Sequence, residues 1–199
     1  MTLHLSRSDA GQAFPIYITV VAGLLFLALA YLAVGQAATN RNGAQTAADA
    51  AALAAAQEAR DQLADEWAEN IGDPASWGDI FEGAVTGLGN SCWRADQFAA
   101  QNGAQVDVCA PDGPLGYKVE VTADEPVGES IVPGTENDYA HASATAVIER
   151  RCTFELPEGD AEDDVLPRLT CKDQYWDLDP DDPLELPEPQ DLFDVHLAD

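Results

Sequence analysis

The sequence predicts an α+β fold in which a long N-terminal helix packs on a small antiparallel sheet, with an acidic, proline-rich irregular tail after it. Three patterns support this prediction. The apolar run Ala13–Val34 passes into an alanine-rich segment without an intervening proline. Segments between residues 104 and 149 alternate with the period of strands. From Arg150 to Asp199 there are 16 Asp and Glu against 4 Lys and Arg, a composition typical of irregular chain.

These patterns divide the chain into five expected parts. They are a short cytoplasmic leader (1–12), a transmembrane helix (13–34), an exposed Ala-rich continuation of that helix (35–70), a small α+β extracytoplasmic head (71–150) and an acidic, largely irregular tail (151–199).

The apolar run Ala13–Val34 has 22 residues and no charge. At about 1.5 Å per residue, such a helix reaches about 33 Å, enough for a hydrocarbon core of about 30 Å. Tyr17 and Tyr31 lie near its ends, where interfacial aromatic residues are favoured. We therefore expect a transmembrane helix. The alternative is a signal peptide cut after Ala37, although signal peptides have shorter apolar cores.

The basic residues leave the orientation of this helix open, because Arg7 lies on one flank and Arg41 and Arg60 lie on the other. The cysteines favour a cytoplasmic N-terminus, because all four follow the apolar run and would then be exported to an oxidising compartment.

Four cysteines in an exported region predict two disulfides, with three possible pairings. We favour the sequential pairing, because each bond then closes a short loop; the bonds would be Cys92–Cys109 and Cys152–Cys171. Four free cysteines or a zinc site are the alternatives, and the wide spacings and scattered histidines disfavour zinc.

Beyond the membrane, alanine and other strong helix formers predict that one helix continues from about Gln12 to Asn70. Gln45, Asp49 and Leu53 are four residues apart and share a face. This face is expected to pack on the head, on helices of other proteins, or on both.

The head is predicted to contain a short helix in residues 91–103 and a hairpin formed by residues 104–109 and 117–123. A further strand covers residues 138–149 and places four alanines on one face, where a helix can approach closely. The alternative interpretation of that last segment is an amphipathic helix.

The net charge of −27 excludes nucleic acid as a partner, since phosphate binding needs clustered cations. We find no pattern for catalysis, phosphate binding or a cofactor, and we expect neither an enzyme nor a cofactor. The carboxylates of Asp177, Asp179, Asp181 and Asp182 are a weak calcium candidate. Prolines interrupt them and the EF-hand glycine is missing, so a solvated acidic tail is the simpler interpretation.

Two stretches carry a family resemblance: "DAGQAFPIYITVVAGLLFLAL" and "RNGAQTAADAAALAAAQEA". Together they resemble the N-terminal region of TadG- and TadE-like proteins of the Flp (tight adherence) pilus assembly system, with the actinobacterial type most similar. The pattern from Phe98 to Glu149 also resembles the small head of the TadE-like branch.

The resemblance implies a membrane-anchored, pilin-like or pseudopilin component whose partners are the lipid bilayer and other pilin-like or Tad assembly proteins. It also makes Gly11 the candidate site of prepilin-type processing. Cleaved pilins usually have glutamate five residues beyond the cut, where this chain has Ile16, and TadG-like members are often uncleaved. The rival hypotheses are a membrane-tethered binding module or adhesin with a cation- or partner-binding acidic tail, and a secreted protein released by signal peptidase.

Overall fold

A computed structural model of the chain describes residues 13–126, 137–156, 166–172, 174–179 and 186–198. Its main element is α1 (Ala13–Glu69), a helix of 57 residues that is about 85 Å long. The helix ends where Gly72 and Pro74 follow, because neither residue favours its continuation. The predicted single helix from about residue 12 to residue 70 is confirmed.

The other elements are short. The helices are α2 (Trp77–Phe81), α3 (Cys92–Gln101) and α4 (Pro189–Leu192). The strands are β1 (Ala104–Pro111), β2 (Gly116–Pro126), β3 (Tyr139–Arg150), β4 (Cys152–Thr153), β5 (Leu169–Cys171), β6 (Gln174–Trp176) and β7 (Phe193–Leu197). The predicted helix, hairpin and following strand correspond to α3, β1–β2 and β3, so the amphipathic-helix alternative for residues 138–149 is wrong.

The main sheet has four antiparallel strands in the order β1-β2-β3-β7. α3 precedes β1 and ends at Asn102 and Gly103, whose φ of 70° gives the left-handed conformation that stops a helix. A bulge between Val106 and Val108 interrupts the pairing of β1 with β2. A second antiparallel sheet has the order β4-β5-β6.

The main sheet packs on the outer half of α1 through small side chains. Ala140 and Ala146 of β3 are buried, and Ala142 and Ala144 between them are partly buried. On α1, one group of alanines is completely inaccessible to solvent: Ala47, Ala48, Ala51, Ala52, Ala55 and Ala56. Because alanine is small, the helix and the sheet lie close together along this seam.

Large side chains fill the end of the head that is farthest from the apolar half of α1. Trp67 of α1 packs against Trp77 and Phe81 of α2, with ring centroids 5.4 and 6.5 Å apart. Phe81 also lies 5.3 Å from Phe193 of β7, and Phe154 lies 5.2 Å from Trp77. These five side chains form an aromatic cluster at this end of the core: Trp67, Trp77, Phe81, Phe154 and Phe193.

The largely irregular tail predicted after residue 151 is not shown, because the part of this region that the structure describes contains regular elements. Within this part, β4, β5 and β6 form the second sheet, and β7 is the fourth strand of the main sheet. β7 forms because Phe193, Val195 and Leu197 alternate toward the core, with Phe193 fully buried. A few apolar residues in an acidic segment are therefore sufficient to form a strand when the edge of a sheet is available for pairing.

Candidate functional site

Helix α1 has three parts with different surroundings, and together they form the candidate functional site. The anchor segment, Phe14–Leu32, is apolar. The neck, residues 33–43, follows it. The alanine segment, residues 44–59, is mostly buried beneath the head. One continuous helix therefore connects an exposed apolar surface to the core of a folded domain.

The anchor segment has the length and composition of a membrane-spanning helix. It contains 19 residues with a mean hydropathy of 2.2, and the head buries none of it. Nineteen residues extend about 29 Å, close to the hydrocarbon thickness of a bilayer. Phe14, Leu24 and Phe26 are each more than 60% exposed. Such an apolar surface calls for lipid or other apolar helices as its surroundings.

The neck is the part of α1 between the anchor segment and the packed part of the head. Gly35, Thr39, Arg41 and Gly43 are exposed. A side chain added at Gly35 or Gly43 would meet no neighbouring atom within 4 Å. The Thr39 hydroxyl donates a hydrogen bond to the Gly35 carbonyl oxygen, so this side chain is satisfied within the helix. The neck therefore continues the helix from the anchor segment to the head, with open space beside Gly35 and Gly43.

A cleft of about 380 Å³ separates the neck from the nearest rim of the head. We call it the rim cleft; it is lined by Thr39, Gly43, Ala44, Asn102, Gly103, Ala123, Asp124 and Glu125. Asp124 and Glu125 supply its charged groups, and both are exposed. The Asp124 carboxylate accepts a hydrogen bond of 2.9 Å from the Gln105 amide. The cleft is therefore an open, acidic recess beside the neck.

The predicted packing face of α1 contacts the chain's own sheet. The Gln45 amide donates hydrogen bonds to the Asp49 carboxylate, at 2.7 Å, and to the Ser143 carbonyl oxygen of β3, at 3.3 Å. Leu53 is partly buried against the core. In the single chain, Gln45, Asp49 and Leu53 thus lie along the seam between the helix and the head. Packing of this face on a second protein stays a prediction.

The four cysteines form two disulfides with the sequential pairing. Cys92–Cys109 joins α3 to β1, and Cys152–Cys171 joins β4 to β5, where the two residues are directly opposite. Both bonds lie in the head, beyond the anchor segment. Disulfides of this kind belong to oxidising compartments, so their position supports export of the head.

The open face of the main sheet carries a polar network that the sequence did not indicate. The Thr122 hydroxyl donates a 2.6 Å hydrogen bond to the Asp107 carboxylate and lies 2.7 Å from the His141 Nδ1. On the same strand, a hydrogen bond to the Glu120 carboxylate raises the pKa of the Lys118 ammonium. No motif connects these residues, because three separate strands bring them together. The network cross-links exposed strand surfaces and is not enclosed in a pocket.

The calcium candidates are only partly within the described residues. Asp177 is exposed and accepts a 2.6 Å hydrogen bond from Arg168, and this ion pair raises the pKa of the Arg168 guanidinium. Asp181 and Asp182 lie outside the described residues, as does Gly11, the predicted processing site. Among the described residues, no three His, Cys, Asp or Glu side chains converge on a possible metal position.

The chain is thus a disulfide-bonded α+β head carried on a long helix whose N-terminal part has the features of a membrane anchor. Residues 11–58 match the family model of TadE/G-like Flp pilus-assembly proteins. The match comprises about a quarter of the chain and covers the anchor segment, the neck and nearly all of the alanine segment. It confirms the family resemblance in this region, while the actinobacterial type and the TadE-like head stay predictions. No curated protein and no solved structure matches the chain.

Proposed function

We propose that the chain is a single-pass, non-catalytic, pilin-like component of a Flp (Tad) pilus assembly or secretion system. The observation that carries the proposal is the agreement between the family match and one structural unit. Residues 11–58 coincide with the part of α1 that runs from the exposed apolar surface into the core of the head. Because the helix is continuous, the position of the anchor segment in the membrane determines the position of the head outside it.

The proposed orientation has the N-terminus in the cytoplasm and the head outside the cell membrane. Two disulfides beyond the anchor support it. The acidic surface of the head supports it too, because an anionic cytoplasmic leaflet would repel the net charge of −27. The partners are then the lipid bilayer and the apolar helices of other pilin-like or assembly proteins.

An anchor exchange tests the pilin-like role against simple tethering. Residues 14–32 are replaced by an unrelated single-pass segment of the same length, and the variant is expressed in a strain that lacks the native copy. We expect carbonate-resistant membrane association to persist and pilus assembly to fail, because only the native surface fits other pilin-like helices. Normal piliation with the foreign anchor would reject this role and favour a tethered binding module or adhesin.

The intact mass of the protein from the membrane fraction tests processing. A chain starting at Gln12 would demonstrate cleavage after Gly11 and allow entry into a filament. A chain starting at Ala38 would reveal signal-peptide cleavage and contradict the proposed anchor. Because Ile16 replaces the glutamate usual in cleaved pilins, we expect the N-terminus to remain uncleaved.

A further inference from the structure

The neck and the rim cleft have opposite charge, and we propose that Arg41 of one copy occupies the rim cleft of a neighbouring copy in the same membrane. This contact rests on the proposed function in one respect, since it requires that the chains are anchored side by side. It adds a specific surface on the head and neck, outside the bilayer, through which copies recognise one another.

Arg41 is available for such a contact. It is exposed, and its side chain forms no hydrogen bond or ion pair with any residue that the structure describes. Thr39 and Gly43 line the cleft of the same chain. Arg41 is two positions from each of them, so at about 100° per residue it projects from nearly the opposite side of the helix. The helix therefore directs Arg41 away from its own cleft.

The rim cleft offers what an arginine side chain needs. The exposed carboxylates of Asp124 and Glu125 can accept hydrogen bonds from a guanidinium. Among the described residues, the Glu125 carboxylate has no partner, and the Asp124 carboxylate is hydrogen-bonded only to the uncharged amide of Gln105. A volume of about 380 Å³ is sufficient to admit the end of one side chain.

Membrane anchoring places the two surfaces at the same height. Thr39 and Gly43 bracket Arg41 along the helix axis, so the cleft of one chain is level with its own Arg41. Chains held by the same anchor segment share one height in the bilayer. Arg41 of one chain thus reaches the cleft of the next without tilting, and because the two surfaces differ, the contact can repeat from copy to copy.

The pairing of Arg41 with the acidic cleft should determine how neighbouring heads are oriented, and it should contribute little to their binding free energy. Neighbouring heads carry net charges of the same sign, but at physiological salt repulsion is screened beyond about 8 Å. An exposed ion pair adds little affinity by itself. Association would come from the anchor helices, and the pairing of Arg41 with the acidic cleft would select one relative orientation of the heads.

Disulfide crosslinking of full-length protein in native membranes tests the contact. One tagged copy carries Asn42→Cys beside Arg41, and a second copy with a different tag carries Gln101→Cys beside the cleft. Both positions are exposed, and among the residues that the structure describes every native cysteine is in a disulfide. We expect the two tags to be joined on mild oxidation. Arg41→Glu in the first copy should reduce the crosslink by about fivefold.

Charge reversal in the cleft of the second copy tests whether Arg41 pairs with Glu125. Glu125→Arg in the second copy should reduce the crosslink with native Arg41 and restore it with Arg41→Glu. The control is Glu149→Arg, the same change at an exposed site near the C-terminal end of β3, outside the rim cleft. It should leave the crosslink unchanged. A loss with Arg41→Glu that Glu125→Arg does not reverse would overturn the proposal and assign Arg41 to lipid phosphates.

Carbonate extraction of the same membranes distinguishes failure of the proposed membrane anchor from failure of the contact between Arg41 and the rim cleft. A chain that resists extraction but gives no charge-dependent crosslink contradicts the contact alone. A chain that is released by carbonate contradicts the anchor, and the contact with it.

Discussion

At the residue scale, Trp67 is one of the buried aromatic side chains whose loss is expected to destabilise the head strongly. It is 1% exposed, and the rings of Trp77 and Phe81 pack against it. Truncating a buried tryptophan to alanine removes its burial and leaves a cavity, at a cost of about 3–5 kcal/mol. We expect Trp67→Ala to lower the free energy of unfolding of the full chain in detergent by this amount, as measured by urea denaturation.

Two matched variants separate packing from other effects of the substitution. Trp93→Ala removes a tryptophan that is 50% exposed, so the loss should be below about 1 kcal/mol. Trp67→Phe keeps an aromatic ring in the core and should cost less than Trp67→Ala. Equal losses for Trp67→Ala and Trp93→Ala would show that the aromatic cluster does not stabilise the head.

At the element scale, the close approach of α1 to the sheet requires small side chains on the helix. Ala51 is completely buried within the alanine segment. Leucine there must displace neighbouring atoms, and overpacking of this kind costs about 1–3 kcal/mol. We expect Ala51→Leu to lower the midpoint of thermal unfolding measured by calorimetry. Ala68→Leu, at an exposed site of the same helix, should leave the midpoint nearly unchanged.

The disulfide between β4 and β5 is the second element-scale determinant of stability. Cys152–Cys171 closes a loop with a sequence separation of 19 residues. In chain-entropy models such a loop contributes about 3 kcal/mol by restricting the unfolded chain. The double variant Cys152→Ala/Cys171→Ala should lose about that much stability in urea unfolding. Reductant should then destabilise the native chain more than the variant, since the variant keeps only Cys92–Cys109.

The elements that the sequence predicted have strong local signals. α1 combines high helix propensity with the absence of proline, and β3 shows a period of two across four alanines. α2 was missed, because Trp77, Ile80 and Phe81 lie in a segment whose glycines and proline indicate a break. Only contact with the core explains this helix, since all three residues are buried there.

The pairing of β7 and the rim cleft both depend on contacts between residues that are far apart along the chain. β7 pairs with β3 although more than forty residues separate them, and no local pattern specifies such a pairing. Asp124 and Glu125 of the cleft are also remote along the chain from Thr39 and Gly43, which line its opposite wall. Charge composition could identify Arg41 as a rare cation, but only the fold shows that an acidic cleft lies at its height.

At the scale of the whole molecule, α1 makes the anchor and the head one mechanical unit. The neck continues the same helix between them, with open space beside Gly35 and Gly43. Rotation of the anchor about its axis should therefore rotate the head by the same angle. The cleft and Arg41 of each copy then face directions that are set by how the anchors pack in the membrane.

Insertions into the neck test this coupling through their helical phase. One alanine between Gly35 and Gln36 turns the head by about 100° and raises it by about 1.5 Å, whereas seven alanines turn it by only about 20°. Both variants should unfold at the native urea midpoint, because the insertion lies outside the packed head. We expect the single insertion to abolish piliation in a strain without the native copy, and the seven-residue insertion to restore it in part, since all copies are raised equally. Equal piliation by both variants would show that the neck is a flexible tether and that the heads do not take their orientation from the anchors.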